Sequence, residues 1–206
     1  VGLRMPNSTL ALQLISELGS PLAAPSANKF KQTSPTSADH VKDVFPDLLV
    51  LDDGNCKVGI ESTILEIFEK EIIIYRPGMI TKEMIQECLK NAGLELPVRF
   101  AESPVAPGHL KHHYMPKLPV ILLQGGSKLA EFNLQEVPKE VLIDPCYLHL
   151  DQSPELTART LYQRLRDFDK SNTSIVLTIS KENLEDENWA GILNRITKAA
   201  TYKLSK

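Results

Sequence analysis

The chain has 206 residues, of which 42% are hydrophobic and 24% are charged, and its formal net charge is −3. This length accommodates one or two domains with a buried core, and the small negative charge argues against a generally basic nucleic-acid-binding protein. The sequence contains no apolar run long enough to span a bilayer, and its three cysteines are far apart, as is typical of free thiols in a reducing compartment. We therefore expect a cytoplasmic protein without membrane association or direct DNA binding.

The first 93 residues are predicted to form a mixed α/β domain. Apolar residues at helical spacing predict a helix over residues 9–18, and the apolar stretch 21–24 predicts a short strand. A further helix and a buried strand over residues 48–54 follow. The segments "STILEIF" and "IIIYR" flank a short charged turn and predict a hairpin, after which Thr81 is the expected N-cap of another helix.

A linker and a second domain are predicted to follow. Residues 94–119 contain five prolines and no sustained periodicity, which is typical of a semi-extended linker. Strand and helix patterns then alternate over residues 120–206, with "PVILL", "EVLID" and "SIVLTI" as the expected strands. This order predicts a small Rossmann-like α/β domain with a parallel sheet.

Hydroxyl and amide side chains are concentrated in the stretch "PLAAPSANKFKQTSPT", residues 21–36. Ser26 and Asn28 are two residues apart at a predicted strand end, so their side chains point the same way and could donate jointly to a phosphate or carboxylate. Ser34 and Thr36 add hydroxyls near a predicted helix N-terminus, which favours anions. Turn formation and helix capping are the alternative explanation.

Two arginines occupy predicted strand ends. Arg76 precedes a Pro-Gly turn, where its guanidinium could hold a phosphate; a surface arginine beside a hairpin is the alternative. Arg4, directly before Met5-Pro6, is a candidate clamp for a carboxylate. Between them, "DDGNCKVGIEST" contains two glycines that permit a close backbone approach beside Ser62.

The run "HLKHHY", residues 109–114, has histidines at a spacing that zinc could use. Flanking prolines and the lack of a neighbouring carboxylate argue against that reading, so we assign no metal ligand among the side chains. The sequence also lacks a Walker loop, a nucleophile elbow and an evident Ser–His–Asp set, so we expect no covalent nucleophile. Donors directed at anions suit a reaction catalysed by positioning and charge neutralisation.

Several motifs occur together in the order found in one enzyme family: "RMP", "PLAAPSAN", "SPT", "VGIEST", "YRPGMIT" and "PGHLKHHYMPK". In this combination the chain resembles the YrdC-like threonylcarbamoyl-AMP synthases, in the long form that adds a linker and a C-terminal α/β domain. The resemblance implies that residues 1–93 are the C-terminal part of a twisted, open α/β catalytic domain. Residues 94–119 would then be a linker and lid, and residues 120–206 the second domain.

The resemblance also implies a nucleotidyltransferase reaction. The family condenses L-threonine, bicarbonate and ATP, with Mg²⁺, to threonylcarbamoyl-AMP and pyrophosphate, and the product is used by the tRNA-modification machinery. By motif, ATP would be bound by Ser26, Asn28, Ser34, Arg76 and Tyr114. Threonine would be bound by Arg4, the backbone at Ala24, and Ser62. His113 and Tyr114 would close over the cleft as a lid.

Two departures from the family pattern leave alternatives open. The family has Ser-Gly soon after Ser-Ala-Asn, where this chain has Lys29-Phe30-Lys31-Gln32. The N-terminal half of the catalytic domain, with its Lys-x-Arg motif, is absent from the sequence, which favours an incomplete enzyme. The alternatives are an inactive RNA-binding or regulatory module of the same fold, and a carbamoyl-transferring relative.

Overall fold

A computed structural model describes residues 2–102, 113–126, 128–150, 153–168 and 172–205. Within these ranges the α-helices are α1 Thr9–Leu18, α2 Ala38–Lys42, α3 Lys82–Asn91, α4 Pro154–Asp167, α5 Lys181–Glu185 and α6 Ala190–Ala199. The strands are β1 Ile64–Ile67, β2 Ile72–Arg76, β3 Val98–Phe100, β4 Val120–Gln124, β5 Pro145–Leu148, β6 Ser174–Ile179 and β7 Tyr202–Ser205. Short 3₁₀ helices cover Leu129–Glu131, Lys139–Leu142 and Glu187–Trp189. The α/β fold class predicted from the sequence is confirmed.

The first sheet has three strands in the order β1-β2-β3. The predicted hairpin is confirmed as the antiparallel pair β1 and β2, and β3 joins β2 in parallel. Helix α3 packs on this sheet through Ile85, and it begins where predicted, because the Thr81 side chain accepts a hydrogen bond from the Met84 amide. Strand β3 lies inside the segment that we expected to be a linker.

Three strands predicted in the first 60 residues are wrong. Residues 21–24 and 48–54 and the segment that ends at Arg4 contain no strand, and Leu49 is 88% exposed. A strand requires a neighbour for its backbone hydrogen bonds, and these segments pair with no strand in the described part of the chain. Helix α1 forms over the predicted residues, yet none of its side chains is buried.

The second sheet is parallel throughout, with strand order β5-β6-β4-β7. One of its faces is covered by α4 and α6, and the other by the segment between β4 and β5. The strand predicted at "EVLID" is wrong, because Val141 and Leu142 belong to a 3₁₀ helix that packs on the outer face, and the strand begins at Pro145. An apolar run this short does not distinguish a strand from a buried helical turn. In the described residues, no helix has the length and apolarity that a bilayer crossing requires.

The two sheets are joined by a shared hydrophobic cluster. Ile60, from the loop before β1, is 5% exposed and packs with Leu161 of α4 and Ile192 of α6. Met79, which follows β2, packs against the same cluster. The loops before β1 and after β2 are therefore held against the helices of the second sheet.

The loop after Ser26 takes its shape from backbone geometry that usually favours glycine. Ala27 and Lys31 have φ angles of 50° and 66°, in the left-handed region. The Asn28 side-chain amide donates to the carbonyls of Lys29 and Gln32 at 2.9 and 3.0 Å and holds the loop together. The loop thus makes a left-handed turn although the glycine of the family pattern is missing.

Replacing Lys31 by glycine should relieve this backbone strain. We expect Lys31→Gly to raise the free energy of unfolding by about 1 kcal/mol, because a non-glycine residue in the left-handed region is strained. Lys29→Gly is the matched control, since Lys29 has no left-handed φ, and it should lower stability. Denaturant unfolding of both variants measures this, and equal losses in the two would contradict a strained Lys31.

Candidate functional site

Glu61, in the motif "VGIEST", lies at the centre of a buried polar cluster. The Ser34 hydroxyl donates to Glu61 Oε1 at 2.6 Å, and the Tyr162 hydroxyl donates to Oε2 at 3.0 Å. Arg195 of α6 donates from Nε to Oε2 at 2.8 Å. A carboxylate with three donors from three separate segments is a point at which those segments are fixed relative to one another.

The Glu61–Arg195 pair is desolvated, and its electrostatics follow from that. The Arg195 side chain is fully buried and that of Glu61 is 15% exposed. Burial by itself would raise the pKa of Glu61, but the Arg195 charge and the hydrogen bonds from Ser34 and Arg195 outweigh it, so the pKa is lowered. Burial and the Glu61 charge raise the pKa of Tyr162. The carboxylate is therefore ionised at neutral pH, and Tyr162 is a neutral donor.

The remaining donors of Arg195 reach the backbone of two loops. Its Nη2 donates to the Glu61 carbonyl at 2.7 Å, and its Nη1 donates to the Pro77 carbonyl and to Gly191 within α6. These bonds satisfy the planar guanidinium in a fixed orientation. Arg195 thus connects α6 with the loop before β1 and the loop after β2.

Arg76 and Ser62 meet beside this pair. Arg76, the last residue of β2, is 5% exposed, and its Nε donates to the Ser62 carbonyl at 3.1 Å. Burial lowers the pKa of Lys198 on α6, and the charges of Arg195 and Arg76 lower it further. Arg76, Arg195 and Lys198 therefore lie close enough to influence one another around Glu61. Their combined positive electrostatic potential favours an anionic ligand.

The segment His113–Met115 lies across the same cluster. The Met115 amide donates to the Lys31 carbonyl at 2.8 Å, and the His113 amide donates to the Lys198 carbonyl at 3.2 Å. Tyr114 is 1% exposed; its ring stacks on Tyr162 with 5.8 Å between centroids.

Three further features of this segment matter for its chemistry. Arg195 lies 5.5 Å from the centre of the Tyr114 ring, which is a cation–π distance. Tyr114 has a φ of 62°, and an aromatic residue in the left-handed region persists only where the surroundings enforce it. Burial lowers the pKa of His113, so its imidazole is neutral at neutral pH.

The structure brings together five of the residues singled out in the sequence. They surround Glu61: Ser34, Ser62, Arg76, His113 and Tyr114. Asn28 is half-buried and bonds within its own loop. Arg4, Ala24 and Ser26 are exposed in segments without helix or strand, and no described contact joins them to Glu61.

The histidine run considered as a possible zinc site lies only partly within the described residues. His109 and His112 lie outside the described residues, and so does most of the lid predicted around them. In the parts of the chain that are described, histidine, cysteine and acidic side chains form no group of three that could hold a metal ion.

Sequence reasoning missed three members of the cluster: Glu61, Tyr162 and Arg195. A signal for the arginine exists, because Ile192, Arg195 and Ile196 lie on one face of α6, and that face is buried. A charged residue on the apolar face of a helix requires a buried partner. The identity of that partner is not contained in the helix pattern.

Comparison with known proteins gives two matching family models. The model described as "Threonylcarbamoyl-AMP synthase, C-terminal domain" matches residues 80–201, and the model described as "Telomere recombination" matches residues 1–78. The two matches meet at the turn after Arg76, beside the Glu61 cluster. The cluster therefore combines side chains from both family domains.

Curated relatives and a solved structure agree with these models. The chain is 29% identical to the threonylcarbamoyl-AMP synthase of Pyrococcus abyssi and 31% identical to that of Bacillus subtilis, over 100% and 97% of its own length. It spans 65% and 63% of the length of these relatives. The crystal structure of P. abyssi Sua5 complexed with L-threonine superposes with a TM-score of 0.77 at 27% identity, covering 98% of this chain and 65% of that one. The chain belongs to the threonylcarbamoyl-AMP synthase family.

Proposed function

We propose that the protein is an L-threonylcarbamoyladenylate synthase. The amine of L-threonine adds to bicarbonate with loss of water and gives a carbamate, whose oxygen attacks the α-phosphorus of ATP. The bond from that phosphorus to the β-phosphate oxygen breaks, releasing pyrophosphate. The observation that carries the proposal is the position of Ser34, Ser62, Arg76 and Tyr114 around one buried cluster in a chain of this family.

The nucleotide would lie against Arg76 and Ser34. Arg76 is a buried guanidinium in a region of positive potential, which suits the polyphosphate. The Ser34 hydroxyl donates to Glu61, so its Oγ would serve as an acceptor at the same place, for a hydroxyl group of the nucleotide. Ser26 and Asn28 would complete this side of the site, with Tyr114 covering it. Mg²⁺ is proposed to arrive as part of Mg·ATP, bound by the phosphates, and to neutralise their charge.

Threonine would bind beside Ser62, with Arg4 as the clamp for its carboxylate and the Ala24 backbone completing the site. The similarity to a relative crystallised with L-threonine supports this choice of substrate. Threonine, bicarbonate and ATP would be the direct partners, and the product would serve tRNA modification in the cytoplasm. We expect no direct binding to DNA.

The residues of the chain would act mainly by positioning and by excluding water. The positive potential would stabilise charge that develops at the α-phosphate, and fixed donors need no reorganisation during the reaction. The His113–Tyr114 segment would close over the site and protect the labile mixed anhydride from hydrolysis. Residues 94–119 are proposed to serve as the linker between the two domains and as this lid.

Arg76→Ala should weaken ATP binding. Loss of one charge-assisted contact should cost about 1.5–3 kcal/mol of binding free energy. Calorimetric titration of the full-length protein with ATP measures this. Arg99→Ala is the control, because Arg99 forms an exposed ion pair with Glu71 at the edge of the first sheet. ATP affinity that is unchanged in Arg76→Ala would remove Arg76 from the site.

Closure of the segment His113–Met115 should weaken in mild acid. The pKa of His113 is lowered by burial in the closed segment, so the open segment takes up a proton first, and closure weakens progressively as pH falls below the ordinary value of about 6.5. Hydrogen exchange of the Met115 amide, corrected for its intrinsic rate, should accelerate below that pH. His113→Gln should remove this pH dependence. If the acceleration persists in the variant, a titrating group other than His113 causes it.

A further inference from the structure

The helices of the second sheet approach the two loops of the candidate site at backbone distance. A Cβ on Gly59 would lie 2.5 Å from the Arg159 carbonyl oxygen of α4, and a Cβ on Gly191 of α6 would lie 2.9 Å from the carbonyl carbon of Gly78. Neither position has room for any side chain. Helices α4 and α6 are therefore in direct backbone contact with "VGIEST" and with the Pro-Gly turn after Arg76.

Arg195 adds directional bonds to this contact. It donates to the carbonyl of Glu61, directly before Ser62, and to the carbonyl of Pro77, directly after Arg76. Ser62 and Arg76 are joined in turn by the hydrogen bond from Arg76 Nε to the Ser62 carbonyl. One guanidinium thus sets the distance between two chain segments. One carries Ser62, proposed to bind threonine, and the other carries Arg76, proposed to bind the nucleotide.

The same guanidinium also acts on Ser34, through Glu61. Arg195 fixes the Glu61 carboxylate from one side, and the Ser34 hydroxyl donates to the other oxygen of that carboxylate. Tyr162 of α4 donates to both oxygens, at 3.0 and 3.3 Å, and prevents the carboxylate from rotating freely. Side chains of the second domain therefore fix the positions of Ser34, Ser62 and Arg76, which are proposed to bind the substrates.

We propose that Arg195 is a positioning residue for substrate binding, and that the C-terminal domain shapes the threonine and ATP sites through it. This inference rests on the proposed function. A lysine could not replace the arginine, because it has one nitrogen where the bonds to Glu61 and Pro77 require a planar fork. A neutral side chain would leave both carbonyls without their donor even where the fold is retained.

The test separates positioning from stability. The variants are Arg195→Lys, Arg195→Met and the double variant Arg195→Met with Glu61→Gln, all in the full-length protein. The double variant removes both members of the ion pair and should recover much of the melting temperature that Arg195→Met loses. Arg164→Met is the matched control, because Arg164 of α4 donates to the His149 carbonyl away from the site. Dissociation constants for L-threonine, and for ATP in the presence of threonine, are measured well below each melting temperature.

We expect all three Arg195 variants to bind L-threonine at least about tenfold more weakly, with no change in Arg164→Met. The double variant shows whether recovered stability brings back affinity, and Arg195→Lys, which leaves Glu61 unchanged, assigns the loss of affinity to Arg195. Affinity that returns with stability, or that never falls in Arg195→Lys, would overturn the positioning role. If the unsubstituted protein bound neither threonine nor ATP, the proposed function would fail instead.

Discussion

The buried ion pair of Glu61 and Arg195 is the interaction on which the site depends. Removing two charges from water costs several kcal/mol for each ion, so such a pair persists only when its geometry and its remaining hydrogen bonds are good. Both conditions are met here, because Ser34 and Tyr162 donate to the carboxylate and two backbone carbonyls accept from the guanidinium. Breaking the pair would leave a buried charge without compensation. The segments that supply these groups are therefore held in one arrangement.

The consequences of this pair extend into the packing around it. Ile60 enters the hydrophobic cluster of α4 and α6 directly before Glu61, so burial of apolar surface and ion pairing act on the same loop. Tyr114 covers the pair by stacking on Tyr162 and lying against Arg195, which keeps water away and strengthens the electrostatic interactions beneath it. The segment His113–Met115, the loops before β1 and after β2, and helices α4 and α6 thus meet at one place.

The sequence predicts local structure well where a pattern determines it. The hairpin of β1 and β2, the helix capped by Thr81, and strands β4 and β6 follow from alternation, capping residues and apolar runs. Residues 21–24 and 48–54 form no strand despite their apolar runs, because an apolar run becomes a strand only when a partner strand pairs with it. The motif residues Ser34, Ser62 and Arg76 could be singled out from the chain, whereas Glu61 and Arg195 could not be paired, since they are 134 residues apart. Contacts of that kind depend on tertiary packing and have no local pattern.

The most direct test of the central role of the ion pair is the unfolding free energy of wild type and Glu61→Gln between pH 7 and pH 3. The pKa of Glu61 is lowered by folding, so its stabilising contribution is present above the unfolded value of 4.5 and is lost as pH falls through the folded value. Glu61→Gln should therefore cost about 3 kcal/mol at pH 7, and the difference should shrink in acid as the wild-type carboxylate is protonated. A difference that is absent at pH 7, or that stays constant down to pH 3, would contradict an ionised pair that holds the site together.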